Sequence, residues 1–392
     1  MKIPKKYKKQ IKNNLSANKS VEPEELKEER YYCTRAFDHA QILDNGNISP
    51  CCPPWVNHYT LGNINDKNYE EIWNGEAAQN FRESILDGSF KYCSRESCPH
   101  LQEKSYSVMK LSDLADKASR EKGQWKEIYL DIKGKKTILS HSPYEVQFCN
   151  DRSCNLSCPS CRRELIMVKG KQKEKQIRTQ EKFKNTFLKD VYNMVITGSG
   201  DAFASPVFRK LLMTLKEDDC PKLNSICLLT NGLLVKKHWN ILSNYVLQNL
   251  TCISVSVDAS NKEIYEINRR GGDWEQLKEN LVFIKNKRQQ ITNFHDYAIS
   301  FVVQQNNYNQ ILDFARMAID YGCDRVSFQR IEPDFIRDLS EDWEEEWKEK
   351  AIQLTTHTEH ENFLDILNSG EWNEICKDIK VEFGALADMK NR

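Results

Sequence analysis

The chain has 392 residues, and its 57 basic and 57 acidic side chains cancel to a net charge of zero. This balance gives no argument for a nucleic acid or an anionic membrane as a partner. At this length we expect two or three domains, each able to bury a core of its own.

The sequence contains no apolar run as long as a membrane span. The N-terminus, Met1-Lys2-Ile3-Pro4-Lys5-Lys6, lacks the apolar stretch of a signal peptide, so we expect a cytoplasmic protein. Fourteen cysteines in a reducing compartment are not expected to form disulfides. Seven of them fall in short clusters, which indicates metal or cluster ligation.

Residues 1–28 are rich in Lys, Glu and Asn, and we expect them to form a mobile tail. A small domain is predicted over 29–104. Asn45-Gly46 between short apolar runs predicts a β-hairpin with a type I′ turn, because both residues tolerate a positive φ. Cys33 and Cys51 would then lie near the open ends of this hairpin, with Cys52 as the rival of Cys51.

A helix is predicted from Ala77 to Asp87, with Gly88 ending it, and Cys93 and Cys98 follow directly. Two separated cysteine pairs can complete one closed site. That site suits either an iron–sulfur cluster or a four-cysteine zinc ion.

Residues 105–143 are predicted to be a connector. It begins with a polar helix over Ser107–Lys122. The alternation Ile128-Tyr129-Leu130-Asp131-Ile132 then predicts a hairpin that turns at Lys133-Gly134.

Three cysteines, Cys154, Cys158 and Cys161, follow the apolar alternation 144–148 at C-x-x-x-C-x-x-C spacing. They place three soft ligands on one loop that leaves a strand. A [4Fe–4S] cluster held by three thiolates keeps one iron open for a substrate or cofactor. The alternative is a zinc site with Cys149 as the fourth ligand.

The loop Cys154-Asn155-Leu156-Ser157-Cys158-Pro159-Ser160-Cys161 resembles the signature of the radical S-adenosylmethionine (radical SAM) superfamily. The resemblance implies a cluster whose open iron chelates SAM, and one-electron reduction that splits SAM into methionine and a 5′-deoxyadenosyl radical. It makes these three cysteines both the cluster ligands and the catalytic centre. It also implies a one-electron donor such as flavodoxin or ferredoxin.

After this loop, apolar runs alternate with amphipathic helical patterns, which predicts an α/β fold with six βα units and a parallel sheet. The predicted strands are 144–148, 194–197, 226–230, 253–257, 298–304 and 325–330. The resemblance implies the partial (β/α)6, TIM-like barrel of the radical SAM core, over 144–335. A helical C-terminal extension is predicted over 336–392.

Sites in parallel barrels form where the strands end. Gly198, Ser199, Gly200 and Asp201 match the family's "GGE" position, where small residues let the backbone approach SAM and a carboxylate accepts from its ammonium group. The other cofactor-binding residues implied by the resemblance are Ser256 and Asp258 for the ribose hydroxyls, Arg269 for the SAM carboxylate, and Gln304 for ribose or adenine. Arg270 is the rival of Arg269, and a helix cap is the alternative for Ser256 and Asp258.

The N-terminal block resembles the SPASM/twitch domains of radical SAM enzymes, whose pattern is matched by Cys33, Gly46 and Cys51. The resemblance implies one auxiliary [4Fe–4S] cluster with the ligands Cys33, Cys51, Cys93 and Cys98.

The function implied is hydrogen-atom abstraction from a C–H bond, with a peptide or protein as the substrate. The first alternative is radical dehydrogenation of a sugar or cyclitol alcohol, and the second is a zinc-stapled binding module without enzymatic activity.

Overall fold

The computed structural model describes residues 29–104, 106–121, 123–332 and 343–390. These residues form two compact units. The first comprises the described residues up to Gln147 together with Glu181–Val191, and the second comprises Phe148–Gln180 and the chain from Tyr192 onward. The tail predicted over 1–28 lies outside the described residues.

The first unit is a small α+β domain. Its strands are β1 (Tyr31–Cys33), β2 (His39–Leu43), β3 (Asn47–Ser49), β4 (Gly62–Asn63) and β5 (Val108–Lys110), and it contains the start of β6 (Glu145–Cys149). Its helices are Arg35–Asp38, Tyr69–Trp73, Glu76–Leu86, Pro99–Glu103, Leu111–Arg120 and Trp125–Lys133, with a 3₁₀ turn at Pro53–Val56. Strand β1 pairs with β5, and β2, β3 and β4 form an antiparallel meander.

The predicted hairpin is present as β2 and β3, with Ile42 opposite Ile48. Its turn is not the predicted type I′ turn, because Gly46 adopts a positive φ of 84° but Asn45 does not. The Gly46 N–H donates to the Leu43 carbonyl at 2.9 Å. A loop in which only the last residue is left-handed is the common three-residue hairpin connection.

Two helices follow the meander. Tyr69–Trp73 begins at a capping box, in which Asn68 and Glu71 bond each other's backbone N–H groups. Glu76–Leu86 buries Phe81 and Ile85 and is followed by Gly88 at a φ of 75°. This helix confirms the one predicted from Ala77.

The connector differs from its prediction. A short strand, β5, precedes the polar helix, which runs over Leu111–Arg120. Residues Trp125–Lys133 form a helix rather than a hairpin, with Ile128 and Ile132 fully buried and Leu130 41% exposed.

A further segment, Glu181–Val191, also belongs to the first unit. It contains the end of the helix Gly170–Phe187. The Phe187 ring packs edge-on against Tyr69 with 5.0 Å between centroids, and the Ser142 N–H donates to Asp190 Oδ2 at 2.9 Å.

The second unit contains a parallel sheet in the order β6, β7, β8, β9, β10, β11, β12. After β6 its strands are β7 (Asn193–Ile196), β8 (Ser225–Thr230), β9 (Leu250–Ser256), β10 (Asp296–Val303), β11 (Arg325–Arg330) and β12 (Lys380–Glu382). The order never reverses, which is the winding of a barrel and not of a doubly wound sheet. The predicted parallel α/β fold is confirmed.

Helices connect these strands. They are Pro206–Thr214, Val235–His238, Asn244–Asn249, Lys262–Asn268, Trp274–Gln290 and Ile311–Asp320. The C-terminal extension contributes helices at Trp343–Lys350, His360–Leu367 and Trp372–Asp378. It also supplies β12, which pairs in parallel with β11 and was not predicted. No helix in the described part of the chain is long and apolar enough to cross a membrane.

Candidate functional site

The cysteine loop leaves β6 in the second unit, and its three thiols each face a donor from this chain. Asn231 Nδ2 lies 3.5 Å from Cys154 Sγ, and Arg269 Nη1 lies 3.9 Å from Cys158 Sγ. Two N–H groups of the Arg162 guanidinium point at Cys161 Sγ, each at 3.4 Å. The first two thiols are buried, and Cys161 is exposed.

Burial raises the pKa of the Cys154 thiol to about 12, with a further rise from the charge of Asp201. Burial likewise raises the pKa of Cys158, although the Arg269 cation opposes the rise. Metal ligation requires thiolates, so cluster binding here must release protons.

The turn after β7 holds the cysteine loop in place. The Asp201 N–H donates to the Ser153 carbonyl at 3.0 Å, and Ser199 Oγ donates to the Cys149 carbonyl at 2.9 Å. A Cβ at Gly200 would lie 2.5 Å from the Asp151 carbonyl oxygen, so only glycine allows this close approach. Gly198 lies in the same turn.

Arg162 also connects the cysteine loop to the turn after β7. It is 3% exposed, and it donates to the Arg152 carbonyl at 2.6 Å and to the Ser199 carbonyl at 3.0 Å. Our sequence analysis missed this residue, although a basic side chain directly after the last cysteine of the loop was a usable signal.

Asp201 connects the turn after β7 to the end of β8. Its Oδ1 accepts from the N–H groups of Phe203 and Ala204, and its Oδ2 accepts from the Thr230 hydroxyl and the Asn231 N–H, all between 2.7 and 2.9 Å. A carboxylate offers about four lone-pair positions, and these four bonds fill them. Asp201 therefore orients Asn231 and the turn, and its contact with the SAM ammonium group remains a prediction.

Asp258 and Arg269 meet at the end of β9. Arg269 Nη2 forms an ion pair with Asp258 Oδ2 at 2.7 Å, and Asp258 Oδ1 accepts from the Val302 N–H at 2.8 Å. Burial raises the pKa of Asp258, and the Arg269 charge opposes that rise. Arg269 therefore bridges Asp258 and Cys158, while its rival Arg270 is engaged with Ser157. Contacts of Asp258 and Arg269 with SAM remain predictions.

Ser256 and Gln304 occupy the ends of neighbouring strands. The Ser256 hydroxyl accepts from Ser300 at 3.3 Å. Gln304 is 4% exposed, and its Nε2 has no hydrogen-bond partner among the described residues. A buried amide donor without a partner fits a ligand acceptor.

In the first unit, one cavity is lined by four cysteines from two separated pairs: Cys33, Cys51, Cys93 and Cys98. Burial raises the pKa of Cys98 to about 11, and the neighbouring Cys51 adds to the rise. Within the described ranges, no group of three His, Cys, Asp or Glu side chains forms a single-ion site. Four soft ligands around an otherwise largely apolar cavity fit a [4Fe–4S] cluster.

Residues 152–299 match the model of the radical SAM superfamily, and residues 33–99 match SPASM, described as an iron–sulfur cluster-binding domain. The chain belongs to the radical SAM superfamily and carries a SPASM domain. It is therefore an enzyme, its second unit contains the TIM-like partial barrel, and its cofactors are [4Fe–4S] clusters and SAM. This result excludes the zinc-stapled module without enzymatic activity.

Individual relatives are distant. A GTP 3′,8-cyclase from Alkaliphilus metalliredigens (strain QYMF) is 29% identical over 186 residues, which are 46% of this chain and 53% of the relative. The chain thus spans about half the length of that curated relative.

Two solved structures show weaker likeness. SuiB of Streptococcus suis bound to precursor peptide SuiA has 16% identity and a TM-score of 0.36, covering 69% of this chain and 59% of SuiB. The protein anSMEcpe with bound AdoMet has 17% identity and a TM-score of 0.39, covering 60% of this chain and 62% of anSMEcpe. Nothing about the substrate of this chain follows from likeness of this size.

Proposed function

We propose that this enzyme removes a hydrogen atom from a C–H bond of a peptide or protein substrate. The observation that carries the proposal is the loop with Cys154, Cys158 and Cys161, in which each thiol faces a donor. Three thiolates leave one cluster iron without a protein ligand, and that iron is the position for SAM. When bound, the cluster and SAM together supply the one-electron chemistry that breaks the C–H bond.

The chain's own residues bind and orient these groups. Arg162 and Arg269 bring positive charge to the thiolates, which offsets the cost of burying negative charge. Asp201 orients the backbone N–H of Asn231, and Asn231 contacts Cys154. Gln304 Nε2 is a buried donor available to SAM.

The four thiols of the first unit are proposed to hold a second, fully ligated cluster. With four protein ligands, no iron of that cluster is open. We therefore assign it to electron transfer rather than to substrate binding. The choice of a peptide or protein substrate rests on the SPASM domain, since enzymes of that type mostly modify peptides.

The test uses anaerobic protein with reconstituted clusters, a chemical reductant and SAM. We expect about eight iron and eight sulfide per chain, and formation of 5′-deoxyadenosine. The triple variant Cys154→Ala/Cys158→Ala/Cys161→Ala should lose about half of the iron and all 5′-deoxyadenosine. The matched control is Cys376→Ala, which removes an exposed thiol outside both groups. A triple variant that still forms 5′-deoxyadenosine would refute the assignment of the active site.

The substrate class is tested separately, by adding peptide libraries, sugar alcohols or GTP to the same reaction. Peptides should accelerate 5′-deoxyadenosine formation and lose hydrogen in the mass spectrum. Acceleration by sugar alcohols or GTP alone would refute the peptide assignment and leave the active site intact.

A further inference from the structure

The cavity of the first unit contains two polar residues besides its cysteines. Of its eleven lining residues, four are cysteines and five are apolar. The remaining two are Arg35 and His100. Neither residue belongs to the ligand set proposed above, so each needs its own explanation.

The charge of the proposed cluster makes these two residues important. A [4Fe–4S] core with four thiolates carries a net charge of about −2, and reduction makes it more negative. An apolar cavity resists that added charge. A cation or hydrogen-bond donor facing the cluster therefore raises its reduction potential.

Arg35 is the cation at this cavity. Its side chain is 16% exposed, and its Nη1 contacts Glu145 Oε1 at 3.3 Å. Its Nε lies buried without a hydrogen-bond partner among the described residues. An arginine guanidinium stays charged in proteins, and this one lines the same cavity as Cys33 and Cys51.

His100 is the second polar residue that lines the cavity. Its ring packs edge-on against Trp55 at 5.2 Å between centroids, and its Nδ1 is buried without a partner in the described part of the chain. Arg35 is therefore the residue of this lining that carries a permanent positive charge, and its ion pair with Glu145 partly cancels it.

We propose that Arg35 sets the reduction potential of the auxiliary cluster, by directing its charge and its unpaired Nε–H at the cluster, and that Glu145 limits this effect. Arg35 is a positioning and tuning residue, not a cluster ligand. The inference rests on the proposed ligand set Cys33, Cys51, Cys93 and Cys98.

The experiment measures the potential of the auxiliary cluster alone. The Cys154→Ala/Cys158→Ala/Cys161→Ala background removes the SAM cluster, and redox titration followed by EPR then reports one cluster. In this background Arg35→Gln should lower the ratio of reduced to oxidised cluster at least tenfold at a fixed solution potential. For a one-electron couple, this change corresponds to a reduction potential that is lower by 59 mV. Arg35→Lys, which keeps the charge, should recover part of the shift.

Glu145→Gln tests the direction of the shift in reduction potential. Because it removes the charge that opposes Arg35, the reduced fraction should rise. Arg120→Gln is the matched control, since Arg120 is exposed on the helix Leu111–Arg120, and it should leave the potential unchanged. If Arg35→Gln does not retain its iron, the directions in which Arg35→Lys and Glu145→Gln shift the reduction potential decide the question.

Two results would overturn the proposal. One is an unchanged potential in an iron-replete Arg35→Gln protein, and the other is a shift in the same direction for Arg35→Gln and Glu145→Gln. Failure of the ligand set is a different result: Cys93→Ala/Cys98→Ala would then retain the cluster. The iron content of that double variant separates the two failures.

Discussion

Replacing Asp201 with Asn distinguishes a residue that orients the site from one that binds SAM. The substitution keeps the size of the side chain and exchanges one oxygen for an NH₂ group. Whichever way the amide is turned, at least one backbone N–H, that of Asn231 or those of Phe203 and Ala204, then faces a donor.

The magnitude follows from these bonds. Asp201 is 1% exposed, so water cannot replace a lost partner. An unsatisfied buried N–H costs about 1–3 kcal/mol, and the remaining bonds also lose their charge assistance. A loss of about 3 kcal/mol is therefore expected in the local stability of the turn. That figure corresponds to a roughly hundredfold increase in local opening.

Hydrogen exchange followed by mass spectrometry measures this loss directly. Peptides that cover 201–205 and 230–233 should exchange about a hundredfold faster in Asp201→Asn. SAM affinity should fall only in proportion to the fraction of molecules in which the turn is open. Asp218→Asn is the matched control, because the Asp218 side chain is 83% exposed. Unchanged exchange combined with a tenfold loss of SAM affinity would refute our reasoning and identify Asp201 as a direct SAM ligand.

Two further predictions concern the two units in turn. Gly200→Ala should abolish assembly of the SAM cluster, because the new Cβ would lie within 2.7 Å of the carbonyl oxygens of Asp151 and Ser153. The measurement is the iron content, which should fall by about half, and full iron content would contradict the prediction. Burial and the charge of Glu145 raise the pKa of Asp38 to about 8 from its ordinary 3.8. The folded protein therefore binds this proton more tightly than the unfolded chain, and the stability from Asp38 falls as pH rises between about 4 and 8. The stability gained by Asp38→Asn, measured by urea unfolding, should grow between pH 5 and pH 9, and an equal gain at both pH values would show that the carboxyl has an ordinary pKa.

The strands of the parallel sheet were predictable because their apolar runs are bounded by turn residues and separated by helical patterns. The segment 128–132 was ambiguous. Its apolar residues at 128, 130 and 132 fit a strand, but Ile128 and Ile132 also fit one face of a helix, and burial of these two decides for the helix. Strand β12 is three residues long and contains one apolar residue, Val381, so it has no apolar pattern from which it could be predicted.

The positions of the site residues were predictable in part. The spacing of Cys154, Cys158 and Cys161 places them on one loop. Asn231 reaches this loop from the end of β8, as expected for a parallel sheet, and Arg269 reaches it from the end of the helix Lys262–Asn268. The contacts of Asp201 were not predictable, since they depend on where backbone N–H groups of two separate turns point.

The assignment of Glu181–Val191 to the first unit affects how the protein can be divided and made. A fragment that ends at Gln147 would lack Phe187, the ring that packs on Tyr69, and Asp190, the acceptor for Ser142. The iron–sulfur domain therefore cannot be excised with a single cut. During synthesis it also cannot complete its packing until residue 191 has left the ribosome, by which time all three cysteines of the loop 154–161 have already been made.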